Sequence, residues 1–165
     1  MVLLQAATRF RDGATSHEPR YDISALRAVL HHLAALRTPA AGDPAASKCV
    51  DVAADDTGGN GAAVQLWDCQ SYAVDQHWYH RSGNSLSTLG RCLDVVGNGT
   101  ANGAQVELWD CNGVGGQKWV EQTDGSLLNP QSGRCLDSPS GATANGTRPQ
   151  IWDCNGSGVQ KFGLS

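Results

Sequence analysis

The chain has 165 residues, enough for one domain and an extension. It is 17% charged and 6% aromatic, yet five of its ten aromatics are Trp, a composition that argues against disorder. The net charge of −4 is split unevenly: residues 1–48 carry six basic and four acidic side chains, residues 49–165 six and twelve. An acidic folded part with scattered Lys and Arg excludes nucleic acid as the expected partner, and no apolar run approaches the ~20 residues that insertion into a membrane requires.

Residues 1–20 show no clear period. Asp22 to Arg37 reads as one amphipathic helix, with Asp22 as N-cap and Ile23, Leu26, Leu30 and Leu33 recurring at three- to four-residue spacing. Thr38-Pro39 stops it. His31 and His32 lie on this helix with no third ligand near them and read as a partly exposed pair. Residues 1–38 thus form an N-terminal extension, and residues 39–47, rich in Ala, Pro and Gly, form a linker. Met1 to Phe10 has neither a basic start nor an apolar core, so no signal peptide is visible.

From residue 48 to 165 the chain repeats itself. Gln65-Leu66-Trp67-Asp68-Cys69 returns as Glu107-Leu108-Trp109-Asp110-Cys111 and as Gln150-Ile151-Trp152-Asp153-Cys154. A Cys-apolar-Asp triplet precedes each copy: Cys49-Val50-Asp51, Cys92-Leu93-Asp94 and Cys135-Leu136-Asp137. A Gln-x-aromatic triplet follows each: Gln76 with Trp78, Gln117 with Trp119, Gln160 with Phe162. The first cysteines are 43 residues apart, which sets repeats 49–91, 92–134 and 135–165. Three strand-like units are too few for a propeller and lack the helices of most solenoids. Asn60, Asn102 and Asn145 each stand seven residues before the Trp and are followed by Gly, a hairpin signal.

Strand alternation sorts the side chains. Val64 and Leu66 share one face, while Gln65, Trp67 and Cys69 share the other; Val50 and Val52 oppose Cys49 and Asp51. The aliphatics must face the core. Cys, Asp, Gln and Trp are then expected on the outer face of both strands. An even cysteine count at regular spacing reads as a disulfide framework from an oxidising compartment, hence a secreted, extracellular protein. Six cysteines admit many connectivities. The repeat favours Cys49–Cys69, Cys92–Cys111 and Cys135–Cys154, each closing a loop worth roughly 3 kcal/mol. The third repeat ends 12 residues short of the others. A closed ring would need residues 37–48 as its missing strand, a poor candidate with two Pro and almost no β-branched residues.

The combined pattern resembles the ricin-B-type lectin family, and the match covers residues 49–165. The resemblance implies an all-β fold, a β-trefoil of three ~43-residue repeats, here preceded by a partly helical segment. It also implies a sugar pocket in each repeat. Carried over, Asp51 would accept sugar hydroxyls, Trp67 would stack on the pyranose face, Gln65 and Gln76 would support the pocket, and Asp75 stands where Asn is common. The second repeat offers Asp94, Trp109 and Gln117, departing at Glu107 for Gln and at Gly116 for Asn. The third offers Asp137, Gln150, Trp152 and Gln160, departing at Val159, with Ser138-Pro139 expected to bend its strand. A pyranose has hydroxyls at its edge and C–H groups on its face, so a carboxylate beside a flat aromatic suits it.

Trp78, Trp119 and Phe162 read as core. Asp68, Asp110 and Asp153 read as turn or surface residues, and the three Asn as turn formers. No catalytic constellation, phosphate loop or Cys-x-x-Cys is present, so no enzyme, cofactor or metal is expected. The expectation is a monomeric, non-catalytic binder of carbohydrate, a galactose-type or xylan-type polysaccharide. Two alternatives stand beside it: the C-terminal part of a secreted hydrolase, and a trefoil that binds protein.

Overall fold

A computed structural model of the chain describes residues 34–37, 48–53 and 58–164. The expected helix up to residue 33, with His31 and His32, and the linker over 39–47 lie outside the described residues. The described strands fall into three groups of four, each built around the central hairpin of one repeat and beginning with a strand that precedes its first Cys. They are β1 (Ala34–Arg37), β2 (Lys48–Val52), β3 (Ala62–Asp68) and β4 (His77–Arg81); β5 (Ser85–Thr88), β6 (Arg91–Val95), β7 (Val106–Trp109) and β8 (Val120–Glu121); β9 (Leu127–Asn129), β10 (Arg134–Asp137), β11 (Gln150–Asp153) and β12 (Gly163–Leu164). Strands hand over between repeats by antiparallel pairing of β4 with β5, β8 with β9, and β12 with β1. This is the three-fold β-trefoil.

The seam is where the structure corrects the sequence reading. Ala34–Arg37, assigned above to the end of a helix, is a strand. It pairs Leu36 with Leu164 and Arg37 with Gly163, and on its other sides Arg37 with Cys49 and Ala34 with Trp78. The ring is therefore closed by 34–37 and not by the Pro-rich stretch 37–48. Helical periodicity is a local preference, and a vacant sheet position offering ladder hydrogen bonds on several sides outweighs it.

The central hairpin of each repeat keeps one register. Cys49 stands opposite Trp67, Val50 opposite Leu66, Asp51 opposite Gln65 and Val52 opposite Val64. Cys92/Trp109 and Asp94/Glu107 repeat it, as do Cys135/Trp152 and Asp137/Gln150. This register sends the valines, leucines and isoleucine of the hairpins inward. Val50, Val64, Leu66, Leu93, Val106, Leu108, Leu136 and Ile151 are buried in one cluster with Trp78, Trp119 and Phe162. Trp78 and Trp119 add a polar anchor, since their indole N–H groups donate to the carbonyls of Val50 (2.9 Å) and Leu93 (3.0 Å). Phe162 fills the same place by bulk alone. The three disulfides are Cys49–Cys69, Cys92–Cys111 and Cys135–Cys154.

Each Asn-Gly pair is the centre of a tight turn, with the Ala62 N–H donating to the Gly59 carbonyl (3.1 Å), Ala104 to Ala101 (3.2 Å) and Thr147 to Ala144 (3.2 Å), but it is not a two-residue hairpin connection. Loops of several residues separate β2 from β3, β6 from β7 and β10 from β11, and each Asn-Gly ends its loop by reaching into another repeat. Gly61, Gly103 and Gly146, with φ of 87°, 87° and 86°, donate their N–H to Leu108, Ile151 and Leu66. Only glycine takes that backbone cheaply. The Asn side chains do the same work: Asn60 donates to Asp110 (2.9 Å), Asn102 to Asp153 (2.8 Å) and Asn145 to Asp68 (2.8 Å). A basic residue completes each tie, with Lys48 on Asp68, Arg91 on Asp110 and Arg134 on Asp153. First binds second, second binds third and third binds first. Asp68, Asp110 and Asp153 are thus joints between repeats, not idle surface. Their sequence signal was the basic residue standing before the first Cys of every repeat.

Candidate functional site

Each repeat builds one candidate site from the same parts. The disulfide turns the chain after the Trp-bearing strand, and a single 3-10 turn (Val74–Gln76, Gly115–Gln117, Gly158–Gln160) folds it back over the Cys-x-Asp strand. At the centre of each is an aspartate: Asp51, Asp94 and Asp137 are only 6%, 6% and 5% exposed. The sequence reading put these aspartates on the outer face. They do lie opposite the aliphatic core, but the returning turn covers them, as it covers Cys49, Cys92 and Cys135. The Trp does stand outward, with Trp67, Trp109 and Trp152 at 36%, 39% and 41% exposure.

The glutamines divide into two kinds. Gln76, Gln117 and Gln160 are buried and fully engaged by the protein. Gln76 Nε2 donates to Asp51 Oδ2 (3.0 Å) and to the Asp68 carbonyl (3.0 Å), while its Oε1 accepts the Gln70 N–H (2.8 Å). Gln160 does the same with Asp137, Asp153 and Asn155, and Gln117 with Asp94, Asp110, Asn112 and Gly113. These glutamines, grouped by sequence with the binding residues, orient the aspartate and the turn from beneath. Gln65 and Gln150 are half-buried at the rim and donate to the second aspartate oxygen, Asp51 Oδ1 (2.8 Å) and Asp137 Oδ1 (3.0 Å).

The second repeat breaks the pattern. Glu107 occupies the rim position and brings no donor. Asp94 Oδ1 is buried without a hydrogen-bond partner. Burial pushes the Asp94 carboxyl above its ordinary value, with the Gln117 amide and the Val95 N–H working against the rise. Burial also raises Glu107, the neighbouring Asp94 adds to that, and Arg148 opposes it. In the first repeat burial raises Asp51; its two glutamine amides counter the rise, and the nearby Asp75 carboxylate reinforces it.

The rim over each aspartate also varies. Asp75 and Val159 are half-buried, while Gly116 is buried. Asn98, missed at sequence level, accepts the Gly116 N–H on its Oδ1 (2.7 Å) and sits at φ 54°, a backbone that Asn tolerates. In the third repeat Gly141 sits against Val159 instead, where an added Cβ would meet that side chain at 3.2 Å. A large residue on one side of the site is matched by a small one on the other. Ser138-Pro139 does not disturb β10: Asp137 keeps its register, and Pro139 opens a 3-10 turn that the second repeat also has at Val96–Asn98. Among the described residues no three His, Cys, Asp or Glu side chains converge as a metal site.

A β-trefoil with an outward Trp beside a buried, glutamine-held Asp in every repeat defines a class, and the comparisons agree with it. The ricin-type beta-trefoil lectin domain profile matches residues 40–162. The chain belongs to that family. Its fold superposes on the agglutinin from Abrus precatorius (TM-score 0.67, 26% identity, 81% of this chain and 49% of that one). It also superposes on the designed three-fold symmetric protein ThreeFoil (TM-score 0.66, 26% identity, 81% and 95%). The C-half of an earthworm R-type lectin, solved with GalNAc, shares the fold at 19% identity (TM-score 0.58, 71% and 88%). This chain thus spans about half of the agglutinin. No curated protein sequence matches it.

Proposed function

We propose that the chain is a non-catalytic carbohydrate-binding module with up to three sites that act together on a polysaccharide or a dense glycan. One observation carries this reading: in each repeat an exposed Trp stands on the same side of the hairpin as a buried aspartate whose orientation is fixed by a buried glutamine. A pyranose laid on that surface gains apolar contact on its face and a carboxylate acceptor at its edge. Asp51, Gln65, Trp67 and Asp75 line the first site; Asp94, Trp109 and Glu107 the second; Asp137, Gln150 and Trp152 the third. A single shallow site of this kind holds a sugar on the order of millimolar, about −4 kcal/mol. Several on one rigid body gain ~100-fold on a polymer.

Galactose-type ligands are the first to try, because the earthworm lectin was solved with GalNAc; xylan-type polymers are the second. The three disulfides support an extracellular setting. The test is a polysaccharide pull-down with titration of Asp51→Ala and Trp67→Ala. Each variant should lose the first site and with it several-fold of polymer affinity. Unchanged binding by both would overturn the site assignment.

A further inference from the structure

We infer that the second repeat is specialised for a basic amino sugar, a hexosamine with a free ammonium group, where the other two repeats take neutral sugars; this rests on the lectin reading above. The inference starts from an imbalance of donors and acceptors. In the first and third repeats the rim glutamine donates to Oδ1 of the central aspartate. In the second, Gln117 Nε2 is engaged by Asp94 Oδ2 and the Asp110 carbonyl, and Oδ1 has no donor from the protein. A buried carboxylate oxygen left in that state costs free energy unless something else supplies a donor.

What surrounds Oδ1 is rich in acceptors. Glu107 faces Asp94 across the β6–β7 pair. A Cβ built on Gly116 would lie 2.8 Å from Asp94 Oδ1 and 2.9 Å from Asn98 Oδ1, so both oxygens converge on the residue without a side chain. At the same place the first and third repeats carry Asp75 and Val159. The cover over Asp94 Oδ1 is thus backbone alone at this point. Arg148 faces Glu107 from the β10–β11 loop, but its Nε donates to the Val64 carbonyl (2.7 Å) and an Nη to that of Val106 (3.1 Å). Both carboxyls are raised by burial, the condition that a bound cation relieves. An ammonium brings three donors and a positive charge to a site with spare acceptors and negative charge. An N-acetyl group brings one N–H and no charge.

The test follows the indole N–H resonances of Trp67, Trp109 and Trp152 in the oxidised protein at about pH 6.5, where an alkyl ammonium is mostly protonated. Galactosamine and glucosamine are titrated against their N-acetyl forms and free galactose, in the parent and in Glu107→Gln, with the buried Trp78 and Trp119 indoles reporting the fold. The free amine should be preferred at Trp109 by about tenfold, the gap between a charge-assisted and a neutral hydrogen bond. Glu107→Gln, which restores the donor of the other repeats, should abolish that preference and leave the responses of Trp67 and Trp152 unchanged. A Trp109 response that favours no amine, an equal amine preference at all three indoles, or a preference that survives Glu107→Gln each overturns the inference while the lectin reading stands. No response at any indole to any of these sugars overturns the inference and the galactose-type reading, and no response to a xylo-oligosaccharide either overturns the lectin reading itself.

Discussion

The first and second repeats share a frame and differ in a site. Their hairpins have the same register, their disulfides close the same loops, and Trp78 and Trp119 sit in the same core with the same indole bond to a β-strand carbonyl. Yet Asp51 has a donor on each oxygen, and Asp94 on one. The frame is held by groups whose exchange would cost stability. At the rim the repeats differ, Gln65 against Glu107 and Asp75 against Gly116, and the second repeat fills the space over its buried glycine with Asn98, which accepts the Gly116 N–H. The pattern teaches that trefoil symmetry constrains what faces the core and leaves what faces a ligand free to diverge.

Three pairs of substitutions, taken from the largest effect down, break or sharpen that comparison. The sameness of the frames is tested by Trp78→Ala and Trp119→Ala. Each removes a fully buried indole and its carbonyl bond, and each should cost about 3–5 kcal/mol in denaturant unfolding of the oxidised protein. Values for the two that differ by more than about 2 kcal/mol would show that the repeats are not equivalent in the core.

The difference in the sites is tested by Gln76→Ala against Gln117→Ala. Both remove a buried amide, but Gln76→Ala leaves Asp51 with Gln65, whereas Gln117→Ala strips Asp94 of its side-chain donor. Each substitution newly unpairs one carboxylate oxygen, a cost of about 1–3 kcal/mol in both repeats, but only Asp94 is then left with no side-chain donor on either oxygen, so sugar response at Trp109 should be lost while that at Trp67 is weakened. Equal loss of response at the two indoles would mean that the rim glutamine contributes nothing to holding Asp51.

Much of this is legible in the sequence, and the reasons are physical. The core, the hairpins and the disulfides follow from strand alternation applied to a unit written three times. Alternation favoured Val64 and Leu66 inward and Trp67 outward, and the bulk shared by Trp78, Trp119 and Phe162 favoured the core. Two kinds of fact stayed hidden. Alternation gives a direction and not a depth, so it placed Asp51 on the Trp side without showing the 3-10 turn that buries it. Nor does it show which residues of different repeats meet. The ties from Asn60 to Asp110 and from Asn145 to Asp68 span 50 and 77 residues. The strand at Ala34–Arg37 was hidden for a related reason: its partners are Gly163, Leu164 and Trp78, far along the chain, while its local sequence continues a helical period.

The smallest effect expected is also the one with a direction that depends on pH. Glu107→Gln gives the second repeat the donor found in the first, and should stabilise the unliganded protein by about 1 kcal/mol near neutral pH. Burial raises both Asp94 and Glu107 from ordinary values of 3.8 and 4.5. A carboxyl raised on folding contributes stability that is complete below its unfolded value and is lost as pH rises through the folded one. The parent is therefore relieved in acid, where Glu107 carries its own proton and can donate it to Asp94. The advantage of Glu107→Gln should shrink as pH falls from neutrality toward those ordinary values and vanish below them. The control is Gln65→Glu in the first repeat, which should create the same penalty with the opposite sign, lowering the melting temperature near neutral pH and less so in acid. If Glu107→Gln gains nothing near neutral pH, the unpartnered oxygen of Asp94 is not what distinguishes the second repeat from the first.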